Sequence, residues 1–230
     1  MIKATLPRAR VDWRLCFVAD SEAAGEMDVL TLIGRAAAGG ATLIQLRGKA
    51  WSDRQFLDLA RQARQLLRPR GIPLIINDRA DIARAAGAAG VHLGQADLPV
   101  AAAREILGRR FLIGISAASP DQAREGEAAG ADYLGVGPVF LTRSKEDAGV
   151  PVGLAAIRKI RSVTSLPILA IGGINAENAP AVISAGADGV AVISAVTAAA
   201  DPEHETVKIM NSIGALGLRR PPPARGAGRP

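Results

Sequence analysis

Three polar side chains alternate where an apolar run ends. In Ala41–Ala50, ATLIQLRGKA, the pair Leu43-Ile44 leads into Gln45, Arg47 and Lys49, with Leu46 and Gly48 between them. Residues two apart in an extended segment project to one side, so all three face the same ligand, and their chemistry suits an anion. Arginine grips phosphate oxygens bidentately and lysine acts as a point charge. Two carboxylates stand at comparable places further on: Asp78 closes LIIND and Asp97 closes VHLGQAD. Carboxylates beside an anion repel it unless a divalent cation lies between, and Mg²⁺ held by one or two carboxylates plus substrate phosphates resolves the conflict. The combination indicates a diphosphate–Mg²⁺ ligand. The competing reading makes Asp78-Arg79 and Asp97 ordinary loop ion pairs or helix N-caps.

A second set follows. Ser116 ends an apolar run, and Tyr133–Gly137 opens into the loop PVFLTRSKEDAG with Thr142, Arg143, Ser144 and Lys145. Beyond it, IGGI places Gly173, and AVIS places Ile193-Ser194. Backbone N–H groups at two successive strand ends of this kind form a phosphate pocket. Two phosphate sites, one with a metal, suggest two phosphorylated substrates: one loses diphosphate, and the other keeps its monophosphate and attacks.

The elements that must position these residues are written in a repeated phrase: AAGGATLIQLR (37–47), AAGAAGVHLG (85–94), AAGADYLGVG (128–137) and SAGADGVAVIS (184–194). Each reads as an Ala-rich helix closed by Gly, then a short aliphatic strand. Further strands are expected at Leu15–Ala19, Leu74–Asn77, Leu112–Ser116 and Ile168–Ile171. A helix is expected over Ser52–Leu67, with Ser52 and Gln55 as a capping box and Phe56, Leu59, Ala63 and Leu66 at helical spacing. Strands that are continuously apolar fit a parallel sheet buried on both faces. About eight strand–helix units give a single α/β domain, a (β/α)8 TIM barrel, with a doubly wound open sheet as the alternative. The chain is divided into an N-terminal extension (1–14), a barrel (15–217) and an Arg/Pro/Gly-rich tail (218–230) expected to be disordered.

Composition limits the classes. At 230 residues the core can form without staples, and 49% hydrophobic with 3% aromatic residues means a core of Ala, Val, Ile and Leu. The single cysteine, Cys16, excludes an internal disulfide and fits a reducing cytoplasm, and its apolar surroundings mark it as a buried structural thiol. No apolar run approaches the ~20 residues of a membrane span, and no secretory signal is read at the N-terminus. The net charge of +6 is uneven: four arginines lie in Arg219–Pro230, leaving +2 on residues 1–218. No basic stripe interleaved with aromatics marks the body for nucleic acid. His92, on a strand, reads as a satisfied core histidine rather than a ligand. Trp51 reads equally as a cover for the diphosphate or as a wedge before the Ser52 cap.

Over residues 15–197, in order, QLRGK (45–49), IIND (75–78), HLGQADLP (92–99), GIS (114–116), GVGPVFLTRSK (135–145), AIGGI (170–174) and AVISAV (191–196) resemble the thiamine-phosphate synthase family. The resemblance implies condensation of 4-amino-2-methyl-5-(diphosphooxymethyl)pyrimidine with a thiazole phosphate, by dissociative loss of diphosphate. It implies Gln45, Leu46, Arg47, Gly48, Lys49, Asn77, Ser116 and Lys145 as pyrimidine-diphosphate positions, with Arg47, Lys49, Lys145 and Ser116 as the catalytic set. Asp78 and Asp97 become Mg²⁺ ligands. Thr142, Arg143, Ser144, Gly173, Ile193 and Ser194 become the thiazole-phosphate grip. Two departures stand out: Ser116-Ala117-Ala118 where the family often has Ser-x-His, and Leu141-Thr142-Arg143-Ser144-Lys145 where it often has Pro-Thr-x-Thr-Lys. The expected partners are small-molecule substrates, with neither nucleic acid nor membrane; homo-oligomerisation is left open. A thiazole tautomerase would not require the whole Gln-Arg-Lys set together with both carboxylates. A non-catalytic thiazole-phosphate-binding paralogue is the rival from outside the enzymes.

Overall fold

A computed structural model describes residues 11–23, 27–142, 144 and 149–214. Eight parallel strands close into a barrel in chain order: β1 Leu15–Asp20, β2 Leu43–Arg47, β3 Leu74–Asn77, β4 Gly90–Leu93, β5 Leu112–Ala117, β6 Tyr133–Val136, β7 Ile168–Ile171 and β8 Gly189–Val192. Helices alternate with them: α1 Val29–Ala38, α2 Asp53–Leu67, α3 Ala80–Ala86, α4 Val100–Leu107, α5 Pro120–Ala128, α6 Gly153–Arg161 and α7 Ala179–Ser184, then α8 Ser194–Thr197 and α9 Pro202–Gly214. The β1–β8 pairing, Leu15 to Val190 through Phe17 to Val192, closes the ring and rules out the open sheet. The Arg/Pro/Gly-rich tail lies outside the described residues.

The repeated phrase has a backbone reason. Gly40, Gly87, Gly130 and Gly186 all take positive φ, where an L side chain would crowd its own backbone. The alanine after each donates its N–H five residues back: Ala41 to Ala36, Ala88 to Ala83, Ala131 to Gly126 and Ala187 to Val182. These are the 6→1 bonds of Schellman caps, and they end α1, α3, α5 and α7 at one geometry before the even-numbered strands. The Ser52–Gln55 capping box forms as the spacing predicts and starts α2.

Strand alternation sorts the core into two shells. Leu15, Phe17, Ile44, Leu46, Ile76, Leu93, Leu134 and Ile168 meet the helices. Cys16, Val18, Leu43, Ile75, Leu112, Tyr133, Leu169 and Ala191 fill the barrel interior, with Val11 and Trp13 packed among them. Leaving water is worth ~25 cal/mol per Å² of apolar surface, and every strand but β4, whose interior positions are Gly90 and His92, contributes apolar side chains on both faces. At the carboxyl ends of the strands the interior turns from apolar to polar, and there the cavity opens.

Candidate active site

A cavity of about 560 Å³ sits at that end, lined by residues from all eight strands and the loops after them. Gln45, Arg47 and Lys49 all line it, as the alternation along β2 requires. Leu46 does not: its side chain is fully buried among the helix-facing residues, so a ligand could meet it through backbone only. The backbone of Gly48 lies under the Trp51 ring, where a Cβ would come within 2.0 Å of the indole. Trp51 also leans on Phe56, centroids 5.7 Å apart.

Arg47 is held from the neighbouring strand. Asp20 and Arg47 are register partners at the tips of β1 and β2, and Arg47 Nη1 donates to Asp20 Oδ2 inside the protein. Nη1 also reaches Glu22 Oε2 at 3.2 Å, while Asp20 Oδ1 accepts from the Glu22 N–H at 2.9 Å. Burial works against the arginine's charge, but the two carboxylates outweigh it and raise its pKa above the ordinary guanidinium value. A buried ion pair is held at the cost of desolvating both members. Here it fixes the guanidinium at the cavity wall. Asp20 escaped the sequence reading, although an acid closing the apolar run LCFVAD was its signal.

Asp78 stands in a strained turn. Its φ of 62° is positive, unlike that of any other described non-glycine residue, and Arg79 N donates to Asn77 O across it at 2.7 Å, a γ-turn. The Asp78 N–H is tied to His92 O at 2.8 Å. Asp97 is fixed by accepting from Gly94 N at 2.6 Å. Burial, then a hydrogen bond with Asp97 and the charge of Asp97, push the Asp78 carboxyl up to about 6, against the opposing pull of Arg47 and Lys49. Arg79 pairs with Asp53 and Asp81 instead, both at 2.6 Å. Neither carboxylate caps a helix: α3 follows Arg79 and α4 follows Pro99, both without a side-chain cap. Pairing with Arg79 and helix capping therefore do not account for these acids.

Across the cavity the described side chains are neutral. Ser144 Oγ lies 2.9 Å from Ser194 Oγ and 3.3 Å from Thr142 Oγ1, joining the loop after β6 to the start of α8. Gly173 has φ 64°, and a Cβ there would sit 2.5 Å from Leu141 O; only glycine lets the loop lie this close. Ile193 is buried, and Ser194 is exposed at the rim. Asn77 is buried, Ser116 is half-buried, and both line the cavity. Arg143 and Lys145 lie outside the described residues.

His92 also lines the cavity, bridging Tyr133 Oη (3.1 Å, Nδ1) and Ser116 Oγ (3.1 Å, Nε2). It is hydrogen-bonded, as the sequence reading expected, but its edge belongs to the cavity. Gln95 donates to Ser116 O from the next loop. Cys16 is fully buried on the floor, where burial pushes its thiol up to about 12, so no thiolate nucleophile is offered.

A parallel eight-stranded barrel with its polar residues gathered at the strand carboxyl ends belongs to the (β/α)8 enzymes. A family model described as thiamine monophosphate synthase matches residues 15–196, and the chain belongs to that family, as a transferase of thiamine biosynthesis. It is 51% identical to the thiamine-phosphate synthase of Moorella thermoacetica, over 82% of this chain and 90% of the relative. To that of Chloroflexus aurantiacus it is 50% identical, over 83% and 88%. Among solved structures, thiamine phosphate pyrophosphorylase from Pyrococcus furiosus superposes with a TM-score of 0.82 at 39% identity, covering 90% of this chain and 98% of that one. A 3-hexulose-6-phosphate synthase structure at 22% identity and TM-score 0.66 shares the fold.

Proposed function

We propose that the chain condenses 4-amino-2-methyl-5-(diphosphooxymethyl)pyrimidine with 4-methyl-5-(2-phosphooxyethyl)thiazole, or its carboxylated form, to give thiamine phosphate and diphosphate. The observation that carries this reading is the charge arrangement of one cavity: Arg47 and Lys49 stand beside two mutually repelling carboxylates, opposite a cluster of hydroxyls. The acids fit a divalent cation. Two oxygen donors that crowd each other in a half-buried corner are a hard-ion donor set, and Asp78 and Asp97 would hold Mg²⁺. Bound there, the ion would neutralise diphosphate oxygens as charge grows on them.

The protein's own residues do the rest. Asp20 and Glu22 both engage Arg47 Nη1, so Nε and Nη2 are the donors Arg47 can turn toward a departing phosphate oxygen. Lys49 adds positive charge on the same side, and the resemblance assigns Lys145 to the same diphosphate. Gln45, Asn77 and Ser116 orient the pyrimidine. The aminopyrimidine expels diphosphate and leaves a resonance-stabilised methylene cation, which the thiazole nitrogen captures. Thr142, Ser144, Gly173, Ile193-Ser194 and Arg143 hold the thiazole phosphate so that this nitrogen faces the cation. Alignment and charge neutralisation supply the rate, and no enzymic nucleophile is required. The single cysteine supports a cytoplasmic setting for this reaction.

The test is to supply both substrates with Mg²⁺ and to measure diphosphate and thiamine phosphate. Diphosphate release that needs both substrates and the metal is expected. Binding without turnover, or isomerisation of the thiazole phosphate alone, overturns the reading.

A further inference from the structure

A column of rings runs up the barrel interior beneath Ser116. Trp13 packs on Tyr133 with centroids 4.9 Å apart, and Tyr133 packs under His92 at 5.4 Å. The strands make room for it with glycine. A Cβ on Gly114 would lie 2.1 Å from Tyr133 Cζ, and one on Gly135 would lie 2.7 Å from His92 Cε1. Interior positions on β5 and β6 thus give up packing so that these two rings stand in one arrangement, with Tyr133 Oη against Nδ1 and Ser116 Oγ against Nε2.

The direction of these bonds follows from donor accounting. Tyr133 is fully buried, and among the described residues the one hydrogen bond of its hydroxyl is to His92 Nδ1. Burial, with smaller contributions from Cys16 and Asp132, raises the phenol well above its ordinary pKa, so it keeps its proton. Left unpaired, that buried O–H would carry its full desolvation penalty, so the proton points at Nδ1. A neutral imidazole whose Nδ1 accepts carries its hydrogen on Nε2. Nε2–H then donates to Ser116 Oγ, and the serine's own proton is left to turn into the cavity.

We propose that Tyr133 is a positioning residue: it locks His92 in the Nε2–H tautomer and so makes Ser116 a hydrogen-bond donor toward the substrate. The substrate half of this statement rests on the reading given under Proposed function; the tautomer half does not. Without the phenol proton, His92 could carry its hydrogen on Nδ1, accept from Ser116, and turn that donor away from the ligand.

The chain has two histidines, His92 and His204, so ¹⁵N-histidine spectra are readily assigned with a His204→Gln variant. Substrate-free enzyme at about pH 8, above the ordinary imidazole pKa of about 6.5, should show the Nε2–H tautomer at His92; Tyr133→Phe should show a mixture. Tyr133→Phe removes only the hydroxyl and should lower kcat/KM about tenfold, the effect of about one hydrogen bond. In a Ser116→Ala background the same change should cost less than twofold, because the relay ends at that hydroxyl. A merely structural tyrosine would cost the same in both. An Nδ1–H tautomer in the unsubstituted enzyme, an unchanged kcat/KM in Tyr133→Phe, or equal losses in both backgrounds overturns the proposal. Should Tyr133→Phe fail to fold, the tautomer of the unsubstituted enzyme decides. Absence of condensation activity overturns the synthase reading instead, and leaves the tautomer measurement standing.

Discussion

The two sides of the cavity are built from different materials. Toward β1–β4 the wall is charged: Arg47 held by Asp20, and Asp78 set against Asp97. Toward β6–β8 it is, among the described residues, hydroxyls and backbone, with Thr142, Ser144 and Ser194 already bonded to one another. The neutral side satisfies itself without ligand and places little strain on the fold. The charged side cannot. A desolvated guanidinium needs a buried counterion, and the charges of Arg47 and Lys49 do not offset what burial and Asp97 impose on the Asp78 carboxyl. The side that would do the chemistry therefore carries the tension, and substitutions there should change activity and stability in opposite or unequal ways.

The largest effect falls on that side. Arg47→Ala or Asp78→Ala should depress kcat/KM by on the order of 10²-fold or more, the scale of one strong transition-state contact. Steady-state diphosphate release measures it, and normal turnover by either variant removes the role given to that residue. Next comes the support. Asp20→Ala removes the buried partner of Arg47 and leaves the exposed Glu22 as its remaining ion pair among the described residues. It should cost about 3 kcal/mol of stability, read as a lower urea midpoint at unchanged slope. An unchanged midpoint would mean that Arg47 swings into water and that the ion pair does not set its position.

Asp78 should behave in the reverse manner. Its carboxyl titrates at about 6 in the folded chain against about 4 when unfolded. Between those values the native state binds the extra proton, so the metal-free protein loses stability as pH rises through this window. Asp78→Asn should abolish that loss, equalling the parent in melting temperature near pH 4 and exceeding it by a few degrees above pH 6. The amide tolerates the left-handed backbone. Mg²⁺ should raise the parent's melting temperature and leave the variant's almost unmoved. A parent curve flat across this window would mean that the two carboxylates do not repel as placed.

What was legible in the sequence was whatever is periodic or local. Gly40, Gly87, Gly130 and Gly186 announce helix ends because a Schellman cap needs a positive φ at one position. Gln45, Arg47 and Lys49 announce a shared face because strand geometry leaves alternate residues no choice. What stayed hidden depends on neighbours in space. Asp20 meets Arg47 through the β1–β2 register, 27 residues apart, and no local rule sets that register. The Tyr133–His92–Ser116 line crosses three strands. Its one trace in the sequence is glycine at alternate positions in GIS and YLGVG, which is also what a tight turn would leave. Leu46 was carried along with its neighbours in QLRGK, although the alternation that aims Gln45 and Arg47 inward sends it to the helices.

The smallest effect should come from the neutral side. Ser144→Ala removes one hydroxyl from the Thr142–Ser144–Ser194 cluster. Thr142 Oγ1 still accepts from the backbone N–H of residue 144 at 3.2 Å, so the loop keeps its turn. Ser194 loses a partner but is exposed and can bond water, so stability should change by less than about 0.5 kcal/mol. If this cluster grips the thiazole phosphate, one charge-assisted hydrogen bond of about 1.5 kcal/mol is lost equally from the ground and transition states. KM for the thiazole phosphate should then rise about tenfold while kcat stays within twofold. A fall in kcat as large as that of Arg47→Ala would show that the hydroxyl side takes part in the chemical step, and the division of labour between the two walls would have to be redrawn.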